Sequence, residues 1–268
     1  MQVRSTRLAG VLTAGIIAFE PGGLARLAPE SIRAWTTYVA ATESRRAAEV
    51  ARPGRFLVLD MQPTAAAERQ ALTSGAVVIR HMETTDAGGE DLEVPRGMVH
   101  HWRGAVLLRG ATIDRVLARL KEGPPPQEDV LRSAVLERGA DMMRVYLQLR
   151  RTKIVTVVYN TEHRVTFARY DASHAASTSE ATKIAELSQP GTPSERELAP
   201  GDDRGFLWRL NAYWRYEAVP GGVIAECESI SLSRSVPFVL RYVAGPIIES
   251  TARESMEKTL IALQAAFK

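Results

Sequence analysis

The chain has 268 residues, 45% of them hydrophobic and 24% charged, with a formal net charge of +3. That composition suits one large globular domain or two small ones, and no apolar run approaches the roughly 18–20 residues that a membrane-spanning helix needs. Lys and Arg are scattered among Asp and Glu rather than blocked, which argues against a nucleic-acid footprint, and the single cysteine, Cys227, excludes an intramolecular disulfide.

At the N-terminus, Arg4 and Arg7 precede the apolar stretch LAGVLTAGIIAF (8–19), and Gly23 and Ala25 follow in a small-x-small arrangement. This order predicts a secretory signal peptide over residues 1–25 and an exported, periplasmic or secreted protein; the alternative is a buried N-terminal helix. Cleavage after Ala25 would remove Arg4, Arg7 and Glu20 and take the formal charge from +3 to +2. A lone cysteine suits an oxidising compartment, because it has no wrong partner.

Pro29 opens PESIRAWTTYVAATESRRAAEVA, where Ile32, Trp35, Tyr38 and Val39 recur at helical spacing and the proline suits a first turn. FLVLD (56–60) reads as a strand and AAAERQAL (65–72) as a short helix. The period then changes: SGAVVIRHMET and GMVHHWRGAVLLRG read as strands. ATIDRVLARLKE (111–122) returns to helical spacing and GPPPQED stops it. Strands are predicted for LRSAVLERG, MMRVYLQLRR, KIVTVVYNTEHRVTFARY and HAASTSEATKIAEL, followed by a polar loop over roughly 189–204. FLWRLNAYWRYEA and GVIAECESISLS then form a hairpin around VPGG. In the final segment Ile248, Ala252, Met256, Leu260, Leu263 and Phe267 define one face of a long helix. Strands follow strands with short connections, so the fold class is α+β with an antiparallel meander. The terminal helix needs a surface, and the meander offers one.

The VPGG turn fixes a register in which paired numbers sum to 441. Arg215 then faces Glu226, Tyr213 faces Glu228 and Trp214 faces Cys227. One face carries Trp208, Leu210, Ala212, Trp214, Ala225, Cys227 and serines; the other carries Arg209, Asn211, Tyr213, Arg215, Glu226 and Glu228. Opposite charges meeting across strands favour this register, since a shift by one would bury Glu226 among tryptophans without a partner. The tryptophan face is therefore expected to be the inner one. Large rings opposite small residues there either interdigitate or leave room for a ligand.

On these residues the chain resembles the START/SRPBCC helix-grip superfamily. The likeness rests on the element order, on VHHWRGAVLLRGATIDRVLARL (99–120) and on the last hairpin with its Pro-containing elbow and long helix, 205–260. It covers about residues 70–268 and is closest to an uncharacterised bacterial secreted branch. The resemblance implies a curved antiparallel sheet wrapped around the C-terminal helix, with an apolar cavity between them for lipids, sterols or aromatic molecules. Some relatives are cyclases or hydrolases, but no catalytic motif transfers to positions here. The domain plan is a signal peptide (1–25), an N-terminal helical extension (26–69) and a START-like domain (70–268). Three placements stay open for 26–69: outside the sheet, on a neighbouring copy, or as a tether.

His100 and His101 are adjacent on a strand and point to opposite faces, so they cannot chelate one ion together; no metal and no cofactor is expected. Parity with Trp102 turns His100 toward the inner face. Glu162 and His163 also face opposite ways, and a cross-strand ion pair is the expected use of the glutamate. Glu226 and Glu228 share a face, as a pair of catalytic carboxylates must, but Arg215 and Tyr213 already oppose them. The elbow SRSVPF (233–238) with FVLRYVAGP is either a packed connector or a flap able to touch a membrane transiently. The expected role is binding or transport of a hydrophobic small molecule. Trp102, Trp208, Leu210, Trp214 and Cys227 would line its site, with His100 and Tyr159 orienting the ligand. The alternatives are a cyclase- or hydrolase-type enzyme using His100 or His163 as general base, and a purely structural envelope-associated protein.

Overall fold

The computed structural model describes residues 27–86, 88–152, 155–235 and 241–268, with side chains in the last stretch from residue 250 onward. The proposed signal peptide and the VPF part of the elbow lie outside the described residues. The element order is α1 (Pro29–Val50), a 3-10 turn (Val58–Met61), α2 (Ala65–Ser74), β1 (Val78–His81), β2 (Gly97–Arg109), α3 (Ile113–Glu122), β3 (Val130–Arg138), β4 (Met142–Thr152), β5 (Thr156–Arg169), β6 (His174–Ser188), β7 (Arg196–Glu197), β8 (Arg209–Val219), β9 (Gly222–Arg234) and α4 (Arg241–Ala265).

The strands form one antiparallel sheet in the order β1-β2-β9-β8-β6-β5-β4-β3, with β7 added to β6. The last strand thus returns to pair with β2, and the two join over thirteen residues, from Gly97↔Arg234 to Arg109↔Gly222. The sheet is curved, and α4 lies in its concave side. This is the helix-grip α+β architecture expected from the sequence. Met256, Leu260 and Leu263 of α4, with Phe267 in the turn just past its end, are buried against Trp102, Val106, Leu108, Ala225 and Cys227, and Ala252 packs at the edge. The side chain of Ile248 lies outside the described residues. Helix α3, whose first turn is capped by Thr112 accepting from the Arg115 N–H, adds Ile113 and Val116 to the same cluster.

The β8–β9 register sums to 441 throughout, with Arg215↔Glu226, Tyr213↔Glu228 and Trp214↔Cys227. The convex side is not open to water. Residues 29–74 form a second layer over it. Along α1 the buried positions Ser31, Trp35, Tyr38, Thr42 and Glu49 fall on one face. That face is apolar near its start and ionic near its end because of what lies beneath. Trp35 and Tyr38 meet Ile230 and Leu232, whereas Glu49 reaches the Arg215 guanidinium at 3.0 Å. A further apolar cluster joins Phe56, Leu57, Leu59 and Leu72 to Ala105, Leu107 and Ile224.

Between the two apolar clusters runs a buried belt of charge. Arg103 bonds Glu68 at 2.8 Å and Glu226 at 3.3 Å. Glu228 accepts from His101 Nε2 at 2.7 Å and Arg46 at 2.6 Å, and it also pairs with Arg45. Glu226 accepts the backbone N–H groups of Val58 at 2.6 Å and Leu59 at 2.9 Å. This explains why FLVLD is not a strand: a 3-10 turn presents two successive free N–H groups to one carboxylate. Arg215 and Tyr213 sit opposite Glu226 and Glu228 in register, yet Arg215 turns to Glu49 and the Phe56 and Arg46 carbonyls, and Tyr213 donates to Glu43 at 2.9 Å. The hairpin's charges are matched by the N-terminal layer and by β2 rather than by each other.

Candidate functional site

Strand alternation assigns the concave face its side chains. Trp102 pairs with Ser229, which pairs with Ala212. His100 pairs with Ser231, which pairs with Leu210. Cys227 lies between Gly104 and Trp214, and His163 pairs with Ala181 on the far side of β6. Pairs share a face, so His100, Trp102, Leu210, Trp214, Cys227 and His163 all belong to the α4 side. Leu210, Ala212, Trp214, Ser229 and Ser231 are only half-buried; the described side chains of α4 do not cover this part of the concave face. Trp214 stacks parallel to Tyr216, with ring centroids 6.2 Å apart.

Trp208 is the exception among the expected lining residues. Strict alternation places it with Leu210, but the ladder begins at Arg209↔Leu232, and Trp208 precedes it. Its ring packs with Trp35, Tyr38, Ile230 and Leu232 on the convex side, and its Nε1–H donates to Asp203 at 3.1 Å. The chain turns at Gly205, where φ is +76° and an added Cβ would lie 3.1 Å from the Trp208 ring. Alternation holds only inside a ladder, and the inner face has one tryptophan fewer than expected.

A pocket of about 230 Å³ is lined by His81, Met98, Val99, His100 and Trp102. The His81 ring meets the Trp102 indole edge-on at 5.1 Å. His100 is buried and its Nε2 lies 2.9 Å from Ser233 Oγ; burial, with a smaller contribution from His81, pulls its pKa down to about 4. His163 is held by Thr161 Oγ1 at 3.0 Å and Ser179 Oγ at 3.4 Å, and burial lowers it to about 4. Both imidazoles are therefore neutral near pH 7 and bonded to hydroxyls alone. His101, on the opposite face, joins Tyr38 and Glu228 in the buried belt, so the two adjacent histidines are indeed separated by the sheet.

Two polar atoms on the concave side are buried without a hydrogen-bond partner: the Trp102 Nε1–H and the Tyr159 hydroxyl. Tyr159 is packed among Leu149, Val157 and Ile184, and burial raises its pKa. An orphaned buried donor costs about 1–3 kcal/mol, so each is a group that a ligand's acceptor would satisfy. Cys227 is buried beneath α4, and desolvation pushes its thiol up; that suits packing better than nucleophilic chemistry. Glu162 pairs with Arg144 at 2.8 Å across the β4–β5 ladder, the ion-pair role read from sequence. Among the described residues no cluster of three or more His, Cys, Asp or Glu side chains could hold a metal ion.

The element order, the closing β2–β9 pairing and the helix in the concave side define a helix-grip protein. Solved structures with a similar fold include a fragment of the STAR-related lipid transfer protein from Xanthomonas axonopodis, 18% identical over 70% of this chain and 98% of that one, with a TM-score of 0.43. The Zhui aromatase/cyclase from a Streptomyces species is 15% identical over 63% of this chain and 94% of that one, with a TM-score of 0.39. A START superfamily protein from Mycobacterium smegmatis is 10% identical over 64% and 96%, with a TM-score of 0.36. No protein-family model matches the chain, and no curated protein matches it by sequence.

What the sequence did not reveal is the buried belt. Its cations lie in ordinary-looking text: Arg45 and Arg46 in ESRRAAE, and Arg103 in the WRG segment. The one available signal was that Arg103, Arg215, Glu226 and Glu228 all take the same parity in three neighbouring strands. Their joint burial needed a cover, and the unassigned segment 26–69 was the only piece of chain left to supply it.

Proposed function

We propose that this chain binds a hydrophobic small molecule, of the lipid, sterol or aromatic class, between the concave face of its sheet and α4. The observation that carries the reading is the pair of orphaned donors, Trp102 Nε1–H and Tyr159 O–H, set on a concave face of mostly apolar and hydroxyl side chains, with the ionic groups near Tyr159 paired with each other. Ligand sites of this kind are mostly apolar with a few polar groups that fix orientation. His100 borders the pocket beside Trp102, while Leu210, Ala212 and Trp214 stay half-buried beside it. At about 230 Å³ the pocket is smaller than the roughly 300 Å³ common for a whole ligand. It suits one end of a ligand whose remainder lies along the half-buried face. Export from the cytoplasm, a domain boundary near residue 70 and transient membrane contact through the elbow belong to this same proposal, on the sequence grounds given above.

Native mass spectrometry of freshly purified protein tests the reading. The expected result is a population carrying a bound apolar molecule, or uptake of an added sterol, fatty alcohol or fluorescent hydrophobe at one equivalent. Only apo mass under every condition would end it and leave a structural role.

A second reading, a hydrolase- or cyclase-type enzyme in the same cavity, is favoured by one contact: His100 Nε2 and Ser233 Oγ, 2.9 Å apart, stand as base and nucleophile stand in acyl transfer. Against it, no carboxylate among the described groups orients His100, and a pKa near 4 makes it a weak base at neutral pH. Turnover of an ester or thioester that Ser233→Ala abolishes without loss of ligand binding would establish it.

A further inference from the structure

The two faces of the sheet differ sharply in charge. On the concave side the central positions of β2, β9, β8, β6 and β5 are neutral: His100, His163, Ser179, Ser229, Ser231 and Thr161 are typical. Alternate positions of the same strands, on the convex side, hold Arg103, Arg215, Glu226 and Glu228. Arg103 and Arg215 are each 1% exposed. They are bound to carboxylates of the N-terminal layer and its sheet, Glu68 and Glu226 for the first and Glu49 for the second. No described guanidinium or ammonium at these central positions faces α4. At the far rim near Tyr159 the charges are already matched: Arg204 pairs with Glu186 at 2.6 Å and Arg151 with Asp129 at 2.6 Å, and Asp203 is satisfied by the Trp208 indole and the Gly205 N–H.

From this segregation we propose that the concave site takes an uncharged amphiphile, one that presents hydroxyl or carbonyl oxygens, and discriminates against carboxylates, sulfates and phosphates. The inference rests on the binding role proposed above and specifies its ligand. Bringing an anion into a site where the described residues offer no unpaired cation costs several kcal/mol of lost hydration. Neutral donors return only about 1 kcal/mol each. The donors available are an indole N–H, a phenol, aliphatic hydroxyls and imidazoles that burial keeps neutral. That set matches alcohol and ketone oxygens. The fold's buried capacity for anions is used on the other face, where it fastens the N-terminal layer.

Matched ligand pairs that share a skeleton provide the test: cholesterol against cholesterol sulfate, and monoolein against oleate. Binding to the full chain is measured at pH 7.5 by displacement of a fluorescent hydrophobe, each ligand below its aggregation threshold. The neutral member of at least one pair is expected to bind roughly tenfold or more tightly than its charged partner, a difference of about 1.4 kcal/mol. Equal binding, or tighter binding of the charged member, would overturn the selectivity while leaving the binding role intact. Failure of all four ligands, together with failure of the fluorescent probe to bind, would overturn both.

Discussion

Gly104 of β2 lies so close under Leu260 of α4 that a Cβ placed on it would stand 2.5 Å from Leu260 Cδ1, with Met256 Cγ at 3.0 Å. The WRG segment therefore contributes a seat: the missing side chain lets the helix descend onto the sheet, and Trp102, two residues earlier on the same face, borders the pocket. Any side chain at 104 lifts α4 or forces its side chains off their rotamers, at a cost of about 1–3 kcal/mol for such overpacking. Gly104→Val is expected to lower the urea midpoint with an unchanged slope, and to weaken binding of a hydrophobic probe. Gly104→Ala should do both to a smaller degree.

Glu228 holds the convex layer in place. It is 1% exposed and accepts from His101, Arg46 and Arg45. Burial alone would raise its carboxyl, but the His101 bond and the two guanidiniums outweigh it and hold the pKa well below the carboxylate range. A depressed folded pKa means that its stabilisation is complete above the unfolded value of about 4.3 and is lost as pH falls through the lower folded value. Glu228→Ala leaves the largely buried Arg46 without its carboxylate and His101 without its acceptor, while Arg45 keeps Glu49; it is expected to cost about 3 kcal/mol at pH 7, read from chemical denaturation. The acid-side loss of stability should also flatten relative to the parent.

The sequence carried the architecture because periodicity and turn chemistry act locally. The VPGG turn set β8 and β9 in register, and the 3-4-spaced apolar positions of the last helix identified the residues it buries, Met256, Leu260, Leu263 and Phe267. Two features were hidden because they depend on distant chain. FLVLD has strand composition, and only the carboxylate of Glu226, 167 residues from Leu59 in sequence, makes a turn of it. Trp208 sits one residue outside a ladder whose first pair is Arg209↔Leu232, although its own N–H still donates to the Leu232 carbonyl. Pattern alone cannot show where alternation stops.

Trp102 and Trp214 face α4, whereas Trp208 lies against Trp35 beneath the N-terminal layer. A ligand in the concavity should therefore perturb the emission of the first two and leave Trp208 unaffected. Trp208→Phe is expected to retain the full ligand-induced fluorescence change, while Trp102→Phe and Trp214→Phe each diminish it. Loss of the change in Trp208→Phe, with folding intact by circular dichroism, would place the ligand on the other face of the sheet.

The neutral histidines of the concave face give stability a distinct pH signature. Burial lowers His163 to about 4, and burial with His81 lowers His100 to about 4, against an unfolded value of about 6.5. The unfolded chain therefore takes up protons that the folded chain refuses. The stabilisation is complete above about pH 6.5 and declines toward pH 4, at no more than about 1.4 kcal/mol per pH unit for each histidine. This window lies above the one in which Glu228 titrates, so the two can be read separately. Urea midpoints measured between pH 8 and pH 5 should be level down to about pH 7 and then fall. His163→Gln keeps a neutral hydrogen-bonding group beside Thr161 and Ser179 and removes the titration, so its slope below pH 6.5 should be shallower than the parent's by about one third, with His100 and His101, both also lowered by burial, supplying the rest. An unchanged slope would mean that His163 gains its proton in the folded state as easily as in the unfolded one, and that water reaches the floor of the concavity there.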